Sequence, residues 1–304
     1  MKRVSPDLAT LCALWRIDPD HLVHVRDGAN SVYELSAFGS RFFLRATTES
    51  HRSRDQIEAE LDFVRFVASQ SISVAMPQPS ARGELVETVR RVGLPPLHAV
   101  VFSAVPGRNF RFSSGDIGPA LFHAWGRAMG ALHLASRDFV PPASSRRHNW
   151  TEQFETSCCV RRIPETELDA IREYHRIAEW LESVPTNQNW GLIHGDFERT
   201  NFAIDEHVLW LYDFDDACYH WYVADVAHAL WAFRNAPIDD RARFLAWFLE
   251  GYRERGCIEV DVYEHLSWFV RLRTLSLFVN RLHRPSADAW IRRTRPTLAK
   301  PAIW

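Results

Sequence analysis

Leu8, Leu11, Leu14 and Trp15 recur at helical spacing over residues 7–17, and Asp18-Pro19-Asp20 then breaks the pattern. The chain is therefore expected to open on a short helix. Residues 23–46 read as extended segments: β-formers dominate Val32-Tyr33-Glu34-Leu35 and Phe42-Phe43-Leu44-Arg45 on either side of Phe38-Gly39-Ser40, which predicts a hairpin preceded by the loop Asp27-Gly28-Ala29-Asn30. From Arg54 to about Gln70 the period becomes 3.6, with Ile57, Leu61, Val64 and Ala68 in one narrow stripe, so a helix must follow and cover the sheet. Two more strands are expected at 84–90 and 98–104, divided by Gly93-Leu94-Pro95-Pro96.

Beyond residue 117 the pattern is mainly helical, with stretches at 117–135, 165–182, 221–233, 239–255 and 262–283 and one strand-and-loop section at 191–216. The segment 141–149 reads as an irregular surface loop. The class expected is α+β: a small antiparallel-sheet lobe with one main helix over 1–102, a connection at 103–107, and a larger α-helical lobe over 108–304.

Composition narrows the function classes. Hydrophobic residues make up 46% of the 304, enough for a sizeable core. The 36 basic and 38 acidic side chains nearly cancel, which nominates neither nucleic acid nor an anionic membrane as partner. No leader-like apolar stretch follows Met1-Lys2-Arg3 and no run of about 18 apolar residues occurs, so a cytoplasmic location is expected. Cys12, Cys158, Cys159, Cys218 and Cys257 lack a Cys-x-x-Cys pair and read as reduced structural thiols. Lysine occurs only at Lys2 and Lys300; every other basic residue is arginine.

The chemistry concentrates in Gly191-Leu192-Ile193-His194-Gly195-Asp196-Phe197-Glu198-Arg199-Thr200-Asn201, followed by Leu209-Trp210-Leu211-Tyr212-Asp213-Phe214-Asp215-Asp216. Phosphoryl transfer from ATP needs a carboxylate to orient or deprotonate the attacking hydroxyl, and oxygen ligands for the magnesium that bridges the phosphates. Asp196, Asn201 and Asp213 carry such groups, and a short hairpin between Asn201 and Asp213 would return the chain toward its starting point. The P-loop motif is absent.

His194-Gly195-Asp196-x4-Asn201, with a strand and Asp213 after it, resembles the signature of the aminoglycoside phosphotransferase and choline kinase family. The likeness extends to Ile57-Glu58-Ala59-Glu60-Leu61, to Phe102–Gly107 and to Asp225-Val226-Ala227, and is greatest to the branch of type II homoserine kinases. It covers about residues 25–290. The resemblance implies a bilobal protein-kinase-like fold and an enzyme, a phosphotransferase that uses ATP and Mg2+ to phosphorylate an alcohol group.

Position by position, the resemblance makes Asp196 the catalytic base, Asn201 and Asp213 the magnesium ligands, and His194 and Asp225 supports of the catalytic loop. Arg45 stands where the family places a lysine that grips the α- and β-phosphates, and arginine is not a neutral replacement. Glu58 and Glu60 compete to be its partner; the helical wheel puts Glu60 at the border of the apolar stripe and selects it. Gly28, Asn30 and Ser31 lie where the family places its phosphate-covering turn, and Ser103 and Val105 where backbone groups read adenine.

The acceptor is expected to be a small polar or amine-bearing alcohol, with a protein serine or threonine as an alternative. Asp215, Asp216, Tyr219, His220 and Trp221 form the candidate acceptor site, because the aromatic groups beside an acidic turn could hold a cationic amine. Two rival readings stay open. A degenerate nucleotide-binding protein is motivated by Arg45, and a metal-dependent hydrolase would use His194, Asp196, His207 and Asp213, though Asn201 suits magnesium better than zinc. Oligomeric state is not encoded in any of these patterns.

Overall fold

The computed structural model describes residues 5–37, 39–111, 115–142, 147–152, 160–185, 189–255, 262–282, 284 and 287–299. Phe38, the middle of the 141–149 loop, Cys158, Cys159, Cys257 and both lysines lie outside the described residues. The chain has the bilobal α+β protein-kinase-like fold, with a small antiparallel sheet in the N-terminal lobe and a larger helical C-terminal lobe. Its two compact units are Met1–Arg108 with Phe139–Arg147 and Ala203–Asp215, and Asn109–Asp138 with His148–Phe202 and Asp216–Trp304.

In the first unit, α1 (Pro6–Leu14) starts at Ser5, whose hydroxyl accepts from the Leu8 amide at 3.3 Å, with Pro6 pre-set in the first turn. Strands β1 (Val23–Arg26), β2 (Asn30–Ala37), β3 (Ser40–Thr48), β4 (Pro77–Gln78), β5 (Glu87–Arg91) and β6 (Leu94–Ser103) form one sheet. Its order is β1-β2-β3-β6-β4, with β5 also on β6. β1 falls within the stretch expected to be extended but was not delimited as a strand of its own: all four of its residues are exposed, so no apolar alternation marks it. Pro95 and Pro96 sit in β6 without breaking the sheet because pairing with β3 begins only at Thr48↔Leu97.

The period-2 alternation of β3 decides what faces what. Leu44 and Ala46 join Leu35, Ala99 and Val101 in a core closed by Leu8, Leu11, Cys12 and Trp15 of α1. Burial of the fully covered Leu44 side chain contributes about 1.5–3 kcal/mol. The same burial pushes the Cys12 thiol pKa up to about 11.

Arg45, between Leu44 and Ala46, points to the opposite face. There Val100, Phe102 and Val86 meet Ile57 and Leu61 of α2 (Arg54–Ser69). A reciprocal capping box of Ser53 and Gln56 starts α2. The hairpin of Phe202–Asp205 and Val208–Leu211 joins this unit through Leu211, whose amide donates to Ser73 O and whose carbonyl accepts from Ala75 N, each at 2.9 Å.

The second unit contains α3 (Pro119–Arg137), α4 (Leu168–Ser183), α5 (Tyr222–Leu230), α6 (Ile238–Arg253), α7 (Val262–Arg281) and α8 (Asp288–Leu298). Glycines at the crossing of α3 and α6 let the helices touch: a Cβ on Gly126 would stand 1.8 Å from Phe248 O, and one on Gly251 1.9 Å from His123 O. Trp190–Ile193 pairs antiparallel with Cys218–Trp221. The latter strand and α8 were not expected. Pro296 lies inside α8 and interrupts the usual helix signal. No helix of the described residues is long and apolar enough to cross a membrane.

Candidate active site

The loop after Ile193 is built on a buried carboxylate. Asp225, in the first turn of α5 and fully buried, accepts from His194 N at 2.9 Å, Gly195 N at 3.0 Å and His133 Nε2 at 3.2 Å. Burial pushes its pKa up, but the hydrogen bond from His133, with the neighbouring histidines, outweighs that and holds it below the ordinary carboxylate value.

Gly195 then turns at φ +80°, and a Cβ there would stand 2.1 Å from Asp216 O. Only glycine satisfies both demands. Its carbonyl accepts from His228 Nδ1 at 2.7 Å, which fixes His228 as a donor. Burial first, and the Arg273 charge second, push His228 down to a pKa of about 3, so its ring is neutral.

Asp196 follows, with its side chain 23% exposed. Asn201 returns to it through the turn closed by Glu198 N to Asp196 O at 2.7 Å and Asn201 N to Glu198 O at 2.9 Å. Asn201 Nδ2 donates to Asp196 O at 2.8 Å and to Asp196 Oδ2 at 2.9 Å. Both bonds use the amide nitrogen of the buried Asn201, and Oδ1 is the acceptor atom of that side chain. Arg273 of α7 donates to Asp196 Oδ1. Sequence reasoning missed Arg273, because nothing local marks a residue that arrives from a helix 77 positions away.

In the first unit Arg45 and Glu60 form a buried bidentate pair, Nη1 to Oε1 at 2.8 Å and Nη2 to Oε2 at 2.7 Å. Glu58 instead pairs with the surface Arg54 at 2.7 Å. Arg45 Nη1 lies 3.9 Å from Asp213 Oδ1, and its guanidinium carbon stands 5.2 Å from the Phe102 ring centre. Burial alone would lower the Arg45 pKa; Glu60, with Asp215 and Asp213, raises it instead, and the group is permanently charged. Arg45 Nε is buried and has no partner among the described residues.

Asp213 has φ +67°, a left-handed conformation that costs a non-glycine residue about 1–3 kcal/mol and recurs at functional sites. Its Oδ2 accepts from Arg26 Nη2 at 2.5 Å. Arg26 ends β1, and nothing in the sequence marked it as a site residue.

Other candidate residues divide between framework and surface. Asn30 Nδ2 donates to Asp215 Oδ2 at 3.1 Å and Thr47 Oγ1 donates to Asn30 Oδ1 at 2.7 Å, so both ends of the Asn30 amide are engaged. Asp215 also accepts from His51 Nε2 at 3.0 Å and Arg52 Nε at 3.3 Å. Burial raises its pKa, but His51, Arg45 and Arg52 outweigh it and hold the carboxyl far below its ordinary range. Ser31 Oγ donates to Asp27 Oδ1 at 2.7 Å.

At Gly28 nothing crowds the position, since a Cβ would meet only Asn30 O at 3.9 Å. The Ser103 amide donates to Met76 O at 2.9 Å and the Ala104 amide to Arg41 O at 3.0 Å, so neither is available to a base; Val105 follows them. Asp216 contacts the Gly195 turn. His220 is buried and stacks on Trp150 with ring centres 5.1 Å apart, and Trp221 Nε1 donates to Pro185 O at 2.9 Å. Tyr219, between Cys218 and His220 on the strand, is half-buried, its amide donating to His148 O at 3.0 Å. Asp215, His220 and Trp221 thus have the burial and bonding of framework residues. Among the described residues, no three His, Cys, Asp or Glu side chains gather as a metal site.

The sequence pattern of the Phosphotransferase enzyme family matches residues 21–258. The chain belongs to this family. Family membership assigns phosphotransfer as its chemistry. Among characterised relatives, amicoumacin kinase of Bacillus subtilis (strain 168) is 28% identical over 281 residues, 89% of this chain and 82% of the relative. Homoserine kinase of Rhizobium meliloti (strain 1021) is 26% identical over 250 residues, 77% of this chain and 70% of the relative. The solved structure of amicoumacin kinase hAmiN in complex with AMP-PNP, Ca2+ and Ami superposes with a TM-score of 0.86 at 25% identity, covering 97% of this chain and 93% of that one.

Proposed function

We propose that this phosphotransferase moves the γ-phosphoryl group of ATP directly to a hydroxyl of a small polar molecule, with Asp196 as the base. The observation that carries the reading is the construction around Asp196. One oxygen is held by Asn201 Nδ2 and the other by Arg273, on a loop pinned by Asp225. Such a carboxylate is presented in one orientation, which is what positioning an attacking hydroxyl requires.

In the reaction, the acceptor oxygen forms a bond to the γ-phosphorus as the bond from that phosphorus to the β-bridging oxygen breaks. The hydroxyl proton passes to Asp196, and ADP departs with the electron pair. Asn201 Oδ1 and the Asp213 carboxylate are hard oxygen donors of the type magnesium takes, two side chains being its usual protein share beside phosphate and water. Magnesium at such donors would neutralise charge developing on the phosphates.

Arg45, fixed by Glu60 and permanently charged, is assigned to the phosphates of the nucleotide. Its planar group is an effective phosphate ligand in place of lysine, which favours an active enzyme over a degenerate binder. The backbone of Gly28 to Ser31 is assigned to the nucleotide as well, and at Ser103 to Val105, where the Ser103 and Ala104 amides are engaged within the chain, the remaining backbone groups are assigned to the base. The kinases of amicoumacin and homoserine among the relatives support a small-molecule acceptor over a protein one.

The test is ADP release from ATP and magnesium across a panel of small alcohols and generic protein substrates. Turnover that requires magnesium and one small alcohol class is expected. Turnover only with protein acceptors, or none with any acceptor despite tight MgATP binding, would overturn the proposal.

A further inference from the structure

Beyond Asp196 the second unit carries an arginine arrangement that phosphoryl transfer itself does not use. Trp231 Nε1 donates to Thr274 Oγ1 at 2.9 Å, which ties Trp231 to α7 one residue after Arg273. Arg234 lies over Trp231, its guanidinium carbon 3.5 Å from the ring centre and its Nη1 donating to Trp231 O at 3.0 Å. Trp231 meets Trp290 with centres 6.5 Å apart, and Arg281 covers Trp290 at 4.4 Å. The tryptophan faces that could have caged a cationic amine here are therefore covered by the chain's own cations.

What distinguishes Arg234 and Arg281 is that neither forms an ion pair among the described residues. Arg271, on the same helix, shows the saturated case: stacked on Trp268 at 4.1 Å, it also holds Glu173 bidentately at 2.5 Å for each bond. Half-buried guanidiniums without a counter-ion are costly unless an anion binds them.

Burial first, and then Arg281, push Arg234 down to a pKa of about 10. Burial, Arg273 and Arg284 also lower Arg281, with Glu198 opposing. Nearer the catalytic loop the balance reverses. Burial of Arg273 is outweighed there by Asp196, Asp216 and Glu198. Charge thus changes sign from Asp196 to Arg281, which stands eight residues and roughly 12 Å along the helix from Arg273. Stacking on tryptophan fixes the plane of each guanidinium and leaves its N–H edge for an oxyanion.

We propose that the acceptor carries an anionic group, a carboxylate or a phosphate, bound by Arg234 and Arg281 while its hydroxyl meets Asp196. This rests on the phosphotransfer reading above and names its substrate class.

The test compares matched acceptors: hydroxy acids against their amides for the carboxylate arm, and diols against their monophosphates for the phosphate arm. Both turnover and binding are measured, binding through the fluorescence of the tryptophans in the stack. The anionic member of one arm should exceed its neutral partner in kcat/KM by about tenfold or more. Arg281→Gln and Arg234→Gln should collapse that ratio mainly through KM, and Arg281→Lys should restore part of it.

Equal or better use of neutral or cationic acceptors would overturn the proposal and leave phosphotransfer standing. Anion-selective binding lost in Arg281→Gln, without turnover of any acceptor, would sustain the anion site while overturning the phosphotransfer reading. No selective binding of any anionic member at millimolar concentration would overturn the anion site.

Discussion

Asp225→Asn isolates the support of the catalytic loop. The substitution keeps size and shape but replaces one of two acceptor oxygens by a donor. If the remaining oxygen keeps His194 N and His133 Nε2, the new amino group faces the Gly195 N–H at the site of the present 3.0 Å bond. One charge-assisted bond is lost, and two buried donors, the Gly195 N–H and the new amide N–H, are left facing each other, a cost of about 2–4 kcal/mol. For a chain of this size that lowers Tm by about 5–10 °C.

The loop should also loosen, reducing kcat by about 10- to 100-fold through misplacement of Asp196, while KM for ATP changes little. The linkage has a definite sign. The Asp225 pKa is depressed in the folded state, so its stabilisation is complete above the unfolded value of about 3.9 and disappears as pH falls through the lower folded one. Thermal unfolding and steady-state kinetics check the reasoning. A Tm within about 1 °C of wild type together with unchanged kcat would refute it.

Glu60→Gln leaves the buried Arg45 without its charge partner and should cost about 3–5 kcal/mol in denaturant titration, whereas Glu58→Gln, at a surface pair, should cost under about 1. Equal effects would contradict the assignment of faces on α2. Asp213→Ala should remove most of the magnesium-dependent part of ATP affinity in calorimetry, and unchanged MgATP affinity would exclude Asp213 as a ligand. Below a pH of about 6.5 the unfolded state takes up a proton that His228 refuses in the folded state until about pH 3, so stability should fall across that window. His228→Asn, which retains a donor for Gly195 O, should show a shallower acid limb in Tm against pH; an unaltered slope would show that other groups set it.

Much of the fold could be read from periodicity because its elements alternate cleanly between apolar and polar positions. The stripe of Ile57, Leu61 and Val64 gave α2 and the side of that helix on which Glu60 lies buried. β1 could be read only as extended chain, not as a separate strand, because its four residues are all exposed, and α8 was illegible because Pro296 and a run of arginines obscure its period. The strand Cys218–Trp221 was hidden by its position directly before a helix.

The motif residues from His194 to Asn201 stood out because they share one loop. Arg26, Arg52 and Arg273 did not, since each reaches its aspartate from 187, 163 and 77 positions away and an isolated arginine carries no distance information. Asn30 and Asp215 show the converse. Both have the chemistry of ligands, yet in the folded chain they bond to each other and to their neighbours.

The most direct test of the central claim is transfer of radiolabelled γ-phosphate from ATP to an acceptor, measured side by side for wild type and Asp196→Asn. The substitution preserves the shape of the group held by Asn201 and Arg273 but removes its ability to take a proton. Labelled product from wild type, reduced by about a hundredfold or more in a folded variant that still binds MgATP, is the expected result. Undiminished transfer by Asp196→Asn would contradict the assignment of Asp196 as the base.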